Sequence, residues 1–133
     1  GWYFIPTASA QIKIEVTTIL ASQETQGSVD PEVIPFVKEL RSVFRYDSYR
    51  SLGTDRMELE LNQTGTAGLP GDRVLKVTPL KISGDRLEMS LEIYKKNNQI
   101  FDTLVKLRNR SNIIVGGPQH QGGYLLFRLY NKF

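Results

Sequence analysis

Apolar residues recur at every second position through most of this chain. Ile12, Ile14 and Val16 share one parity and Lys13 and Glu15 the other, the pattern of a half-buried strand. Met57, Leu59 and Leu61 alternate with Glu58, Glu60 and Asn62, and Leu87, Met89, Leu91 and Ile93 alternate with Arg86, Glu88, Ser90 and Glu92. Between these runs, residues Val74–Ile82 change phase. Leu75 and Val77 keep one parity, Leu80 and Ile82 the other, and the change falls at Thr78-Pro79. A β-bulge accounts for both observations, since an extra residue reverses parity and a bulge tolerates proline. Ser83-Gly84-Asp85 then reads as the tight turn of a hairpin.

Turn residues divide the rest. Tyr46–Leu52 reads as a strand ended by Gly53-Thr54-Asp55, and Gln63–Gly68 as a small polar loop. Leu69-Pro70-Gly71-Asp72 has the Pro-Gly centre of a type II turn. Ile100–Leu107, Ile113–Val115 and Tyr124–Tyr130 read as further strands, with turns at Lys95–Gln99 and Asn109–Asn112. The eight residues from Gly116 to Gly123 read as a long glycine loop. One segment has helical spacing instead. Asp30-Pro31-Glu32 is a helix-start pattern, followed by Val33, Ile34, Val37, Leu40, Val43 and Phe44 on one stripe. Pro35 delays the regular helix to Ile34-Pro35. The sum is a mainly β fold: an antiparallel β-sandwich or small barrel of seven to eight strands, with one α-helix after the first strand.

Residues 1–10 stand apart. Trp2, Tyr3, Phe4 and Ile5 form an apolar run, and Ala8-Ser9-Ala10 places small residues where a signal peptidase requires them. The segment reads either as the end of a signal peptide or as an aromatic arm, and residues 11–133 as a single β-sandwich domain. The expected location is outside the cytoplasm, in a periplasm or an equivalent lumen. No stretch reaches the roughly 18 consecutive apolar residues of a membrane helix, so no membrane span is expected.

Composition narrows the chemistry. The 133 residues contain no cysteine and a single histidine, His120. Thiolate metal sites, iron–sulfur clusters and cysteine nucleophiles are therefore excluded from this sequence. A serine triad would depend on His120 alone, and no acid lies between Lys106 and Phe133 to orient it. Turn aspartates such as Asp72 and Asp85 neighbour glycines and suit backbone capping better than a calcium loop. Glu58, Glu60, Glu88 and Glu92 fall on solvent faces of strands. The expectation is a cofactor-free protein without enzymatic activity. A net charge of +3 is too small for a dedicated nucleic-acid binder.

Two features point to protein contacts. Lys106, Arg108, Arg110, Arg128 and Lys132 give the C-terminal quarter a basic character, suited to an acidic surface or to protecting an edge strand. The last strand is apolar on both faces: Leu125, Phe127 and Leu129 on one, Tyr124, Leu126 and Tyr130 on the other. Such a strand is either central with a covered exterior or lies at an interface. The candidate interface residues are Trp2, Tyr3, Phe4, Arg110, His120, Tyr124, Leu126, Arg128, Tyr130 and Phe133, aromatic and arginine types that anchor interfaces.

The stretch Asn112–Gly117 resembles the strand-then-Gly-Gly stretch of outer-membrane secretins. The signal-like end at Ala8–Ala10, the strand run with Leu69-Pro70-Gly71-Asp72, and Val115-Gly116-Gly117-Pro118 together resemble small exported accessory proteins of large respiratory complexes, such as the tubule-inducing subunits of anammox nitrite oxidoreductase assemblies. That resemblance implies a structural subunit in a filamentous or respiratory assembly, with a protein partner or its own copies as the contact. The alternative reading is a small-ligand or carbohydrate-binding module using Trp2, Tyr124 and the glycine loop.

Overall fold

Alternation becomes pleated sheet wherever one parity can be buried, and in this chain it does so eight times among the described residues. The computed structural model describes residues 11–23, 29–37 and 46–133. The strands are β1 (Ile12–Ser22), β2 (Ser48–Leu59), β3 (Gly65–Leu69), β4 (Arg73–Ser83), β5 (Arg86–Lys95), β6 (Asn98–Arg108), β7 (Asn112–His120) and β8 (Gly123–Lys132). They form two four-stranded antiparallel sheets. The first has the order β2-β1-β8-β7 and the second β3-β4-β5-β6. Every hydrogen-bonded neighbour but β1–β8 is also a sequence neighbour. The chain changes sheets between β2 and β3 and again between β6 and β7.

The two sheets share one core. Ile12, Ile14, Val16, Leu125, Phe127 and Leu129 of the first meet Leu75, Val77, Leu87, Met89, Leu91 and Ile93 of the second. This arrangement is that expected of a β-sandwich, and the described strands do not close into a barrel. Close approach at the corner relies on a missing side chain. A Cβ at Gly65 of β3 would stand 2.6 Å from the Met57 sulfur of β2.

The phase change at Thr78-Pro79 is a bulge. Pro79 pairs with Met89 and Lys81 with Glu88, leaving Leu80 as the extra residue. Three strand expectations are corrected. The turn expected at Gly53 is instead a bulge within continuous β2, where Gly53 has φ +147° and Leu52 is the unpaired residue. The polar loop 63–68 contains β3, because Ala67 and Leu69 reach the core. The glycine loop 116–123 is mostly β7, which runs to His120 with an irregularity between Gly116 and Gln119, and only Gln121-Gly122 turns.

The α-helix after β1 is not seen among the described residues. Residues Ile34–Phe36 form a single 3-10 turn, with proline at its start. Pro35 supplies no N–H and crowds the preceding turn, which suits a tight turn at Ile34–Phe36. Leu40, Val43 and Phe44 lie outside the described residues, as do Trp2, Tyr3, Phe4 and the segment 1–10.

Residues 29–37 instead cover part of the outer face of the first sheet. Val29 bridges Tyr49 in parallel, Asp30 N donates to the Tyr49 carbonyl at 3.0 Å, and Ser51 N donates to Asp30 Oδ2 at 2.8 Å. Val33 thereby reaches a second core cluster with Ile19, Ala21, Tyr49 and Leu126. Strand β8 is central in its sheet, and the segment covers its outer face at Leu126, while Tyr124 is exposed and Tyr130 half-buried.

Candidate interaction surface

Pairing register assembles the uncovered half of this outer face from four strands. One row reads Glu58–Lys13–Lys132 across β2, β1 and β8. The next reads Arg56–Glu15–Tyr130–Asn112 and continues onto β7, and the third Thr54–Thr17–Arg128–Ile114. Outward parity on each strand places these side chains on one surface. Beyond the third row, Ile19 and Leu126 pass beneath the covering segment.

Arg128 organises the surface. Its Nε donates to Asn112 Oδ1 at 3.1 Å and its Nη1 to Thr17 Oγ1 at 3.2 Å and Glu15 Oε1 at 3.4 Å. Its guanidinium lies 4.6 Å from the centre of the Phe36 ring, a cation–π contact with the covering segment. Glu15 also faces Arg56 at 3.6 Å. The Glu15 carboxylate is thus engaged from both sides. Lys13 and Lys132 are directly opposite each other, and neither side chain takes part in a salt bridge or hydrogen bond among the described residues. Like charges directly opposite on a sheet repel. Tyr130 lies half-buried in the adjacent row.

Two open depressions mark this surface. One of about 400 Å³ is lined by Lys13, Glu15, Arg56, Glu58, Tyr130 and Lys132. The other, about 510 Å³, lies between Arg56, Arg128 and the Glu32–Phe36 stretch. Glu15 and Arg56 line both.

The sequence-predicted residues disperse around this surface. Arg128 and Tyr130 lie on it. Leu126 is corrected to a core residue: it is fully buried under Val33 and offers nothing to a partner. Tyr124 is 38% exposed at the covered end, with its ring 6.1 Å from that of Tyr46 and its hydroxyl accepting from Gln119 Nε2 at 2.9 Å. His120 accepts from Arg73 of the second sheet. Phe133 packs against the main core, and the Asn109 side chain binds its backbone N and O. Arg110 sits in the β6–β7 turn with φ +64° and is exposed. The basic C-terminal quarter does not form one patch. Lys106 and Arg108 fall on β6 of the second sheet, while Arg128 and Lys132 fall on β8 of the first. Lys13 and Arg56 complete the basic surface around Lys132, and sequence reasoning missed both because only the β1–β8 and β1–β2 register brings them there.

Among the described residues there is no group of three or more metal-ligating side chains, and no helix is long and apolar enough to cross a membrane. Compared with known protein families, curated proteins and solved structures, the chain matches none.

Proposed function

We propose that this chain is a non-enzymatic, exported accessory protein that works by protein–protein assembly, with the uncovered outer face of the β2-β1-β8-β7 sheet as its contact surface for an acidic partner. The observation that carries this reading is the Lys13–Lys132 couple, which has no salt bridge among the described residues, beside Tyr130 on an open sheet face. A partner carboxylate placed between the lysines would relieve their repulsion, and Tyr130 and Arg128 are of the residue types that dominate interface energetics. The β-sandwich is the scaffold that holds the face rigid. The signal-like segment 1–10 supports export, and the resemblance to accessory subunits of respiratory assemblies supports a place in such a complex. Sedimentation of the native protein in extract, compared with a Lys13→Glu/Lys132→Glu variant, tests the reading. The native chain should sediment with a larger complex, and the variant as the isolated chain.

A second reading is a small-ligand or carbohydrate-binding module at the β7–β8 tip. It is supported by a depression of about 310 Å³ lined by Gln119–Tyr124. Calorimetry with oligosaccharides distinguishes it, since that reading requires heat of binding that Tyr124→Ala removes.

A further inference from the structure

The two sheets leave four edge strands, and three are blunted. β2 is bridged by Val29 near one end. β3 has only five residues. β7 carries Pro118 within its irregular stretch. Each device is a known defence against edge-to-edge pairing.

β6 lacks them. It has eleven residues, pairs with no strand but β5, and keeps regular register from Phe101 to Arg108, where the Arg108 carbonyl accepts from Asn131 Nδ2 and Ser111 Oγ. Its outward side chains over that stretch include Asp102, Leu104 and Lys106, all exposed. Leu104 is 59% exposed, more than any other large hydrophobic residue described. Asp102 lies directly opposite Glu92 of β5, a like-charge pair. The side chains of Asp102 and Lys106 take part in no salt bridge or hydrogen bond among the described residues.

We propose that two copies of this chain pair antiparallel along the outer edge of β6, about a two-fold axis through Leu104. The spacing is self-complementary. In such a pairing, residues whose numbers sum to twice 104 face each other. Leu104 meets the partner's Leu104. Asp102 meets the partner's Lys106, and Lys106 the partner's Asp102. On the inner face Thr103 meets the partner's Val105, and Phe101 the partner's Leu107. An acid, an apolar residue and a base at successive outward positions read the same in both directions once the sign of each charge is matched to its opposite. The incoming lysine also relieves the repulsion between Asp102 and Glu92. The result joins the two second sheets into one continuous sheet through the dimer. The contact shares with the reading above only the premise that the chain works by assembly. It uses a different sheet, so its failure leaves the Lys13–Lys132 surface untouched.

Charge swapping tests the register. Sedimentation velocity of the purified full chain, from micromolar to millimolar concentration, should show a monomer–dimer equilibrium. Asp102→Lys alone and Lys106→Asp alone should each weaken the dimer by at least about tenfold, because each places like charges opposite on both sides of the axis. Mixed in equal amounts, the two variants should form a heterodimer, since each then offers the other opposite charges. Circular dichroism of each variant confirms that the sheets are intact. A wild-type chain that stays monomeric at millimolar concentration, or two folded variants that fail to associate when mixed, would overturn the proposal.

Discussion

Arg73 of β4 donates through Nη2 to Nδ1 of His120 on β7, at 2.9 Å, and so ties the second sheet to the first. A guanidinium cannot accept, so Nδ1 is the acceptor and the ring is the neutral Nε2–H tautomer. Arg73 is 8% exposed and also donates to the carbonyls of Pro70 at 2.9 Å and Gln119 at 3.1 Å. The lone histidine thus has a structural partner rather than a catalytic one among the described residues. Arg73→Leu strips three acceptors of their donor and should cost about 2–3 kcal/mol in urea denaturation. His120→Gln keeps an acceptor in reach and should cost less than about 1 kcal/mol.

Leu126 separates core from interface. Fully buried beneath residues 29–37, it should behave as a core residue: Leu126→Ala should lose about 2–5 kcal/mol of stability. Tyr130→Ala should change stability by less than Leu126→Ala while weakening co-sedimentation with a partner. Equal stability losses in the two variants would mean that Tyr130 is held by the fold rather than offered from it.

Glycines near β8 make a graded series. A Cβ at Gly117 would meet Phe127 Cε2 at 2.5 Å and the Leu125 carbonyl oxygen at 3.0 Å. At Gly123 it would collide with the backbone carbonyl of Ala21, which cannot swing away. Gly122 has φ +76° and open space around it. Thermal melts should therefore rank Gly123→Ala as most damaging, Gly117→Ala at about 1–3 kcal/mol, and Gly122→Ala at about 1 kcal/mol.

Two tyrosines are shifted to ionise later than ordinary phenols. The Tyr94 hydroxyl donates to Glu92 Oε2 at 2.7 Å, and that bond, with burial and the charges of Glu92 and Asp102, pushes its ionisation above the ordinary 10.0. Burial first, and then Tyr124, raise Tyr46 likewise. A raised phenol favours the folded state while protonated. Its contribution is complete below the unfolded value and is lost as pH rises through the folded one. Phenolate absorbance should show both rings titrating late, and Tyr94→Phe should remove one late step and flatten the alkaline loss of stability.

Legibility in the sequence followed the range of the interactions. The strands β1, β4 and β5 and the bulge after Thr78 were readable because parity is local. The turn at Pro70-Gly71 was also readable, with positive φ at both Gly71 (+80°) and Asp72 (+56°). The glycines of β7 were read as a loop because they lack side chains to show alternation, yet pairing with β8 holds them extended. Of the helix pattern after Asp30, the described part is a 3-10 turn at Ile34–Phe36, preceded by Val33 on the outer face of a sheet. The candidate surfaces were the least legible. Lys13 meets Lys132, and Glu15 meets Arg128, only through pairing of the first strand with the last. The balance of Asp102, Leu104 and Lys106 has meaning only once β6 is known to be an edge.

The central claim is that the outer face around Lys13, Tyr130 and Lys132 is covered by another polypeptide in the native assembly. Lysine-reactive cross-linking of the native material, with peptides mapped by mass spectrometry, tests it most directly. Lys13 and Lys132 should be joined to acidic segments of another polypeptide through a carboxylate-coupling reagent, and should be shielded from small acylating reagents until the complex is dissociated. Full acylation of both lysines in the native material, with no cross-link leaving this chain from either, would contradict the account.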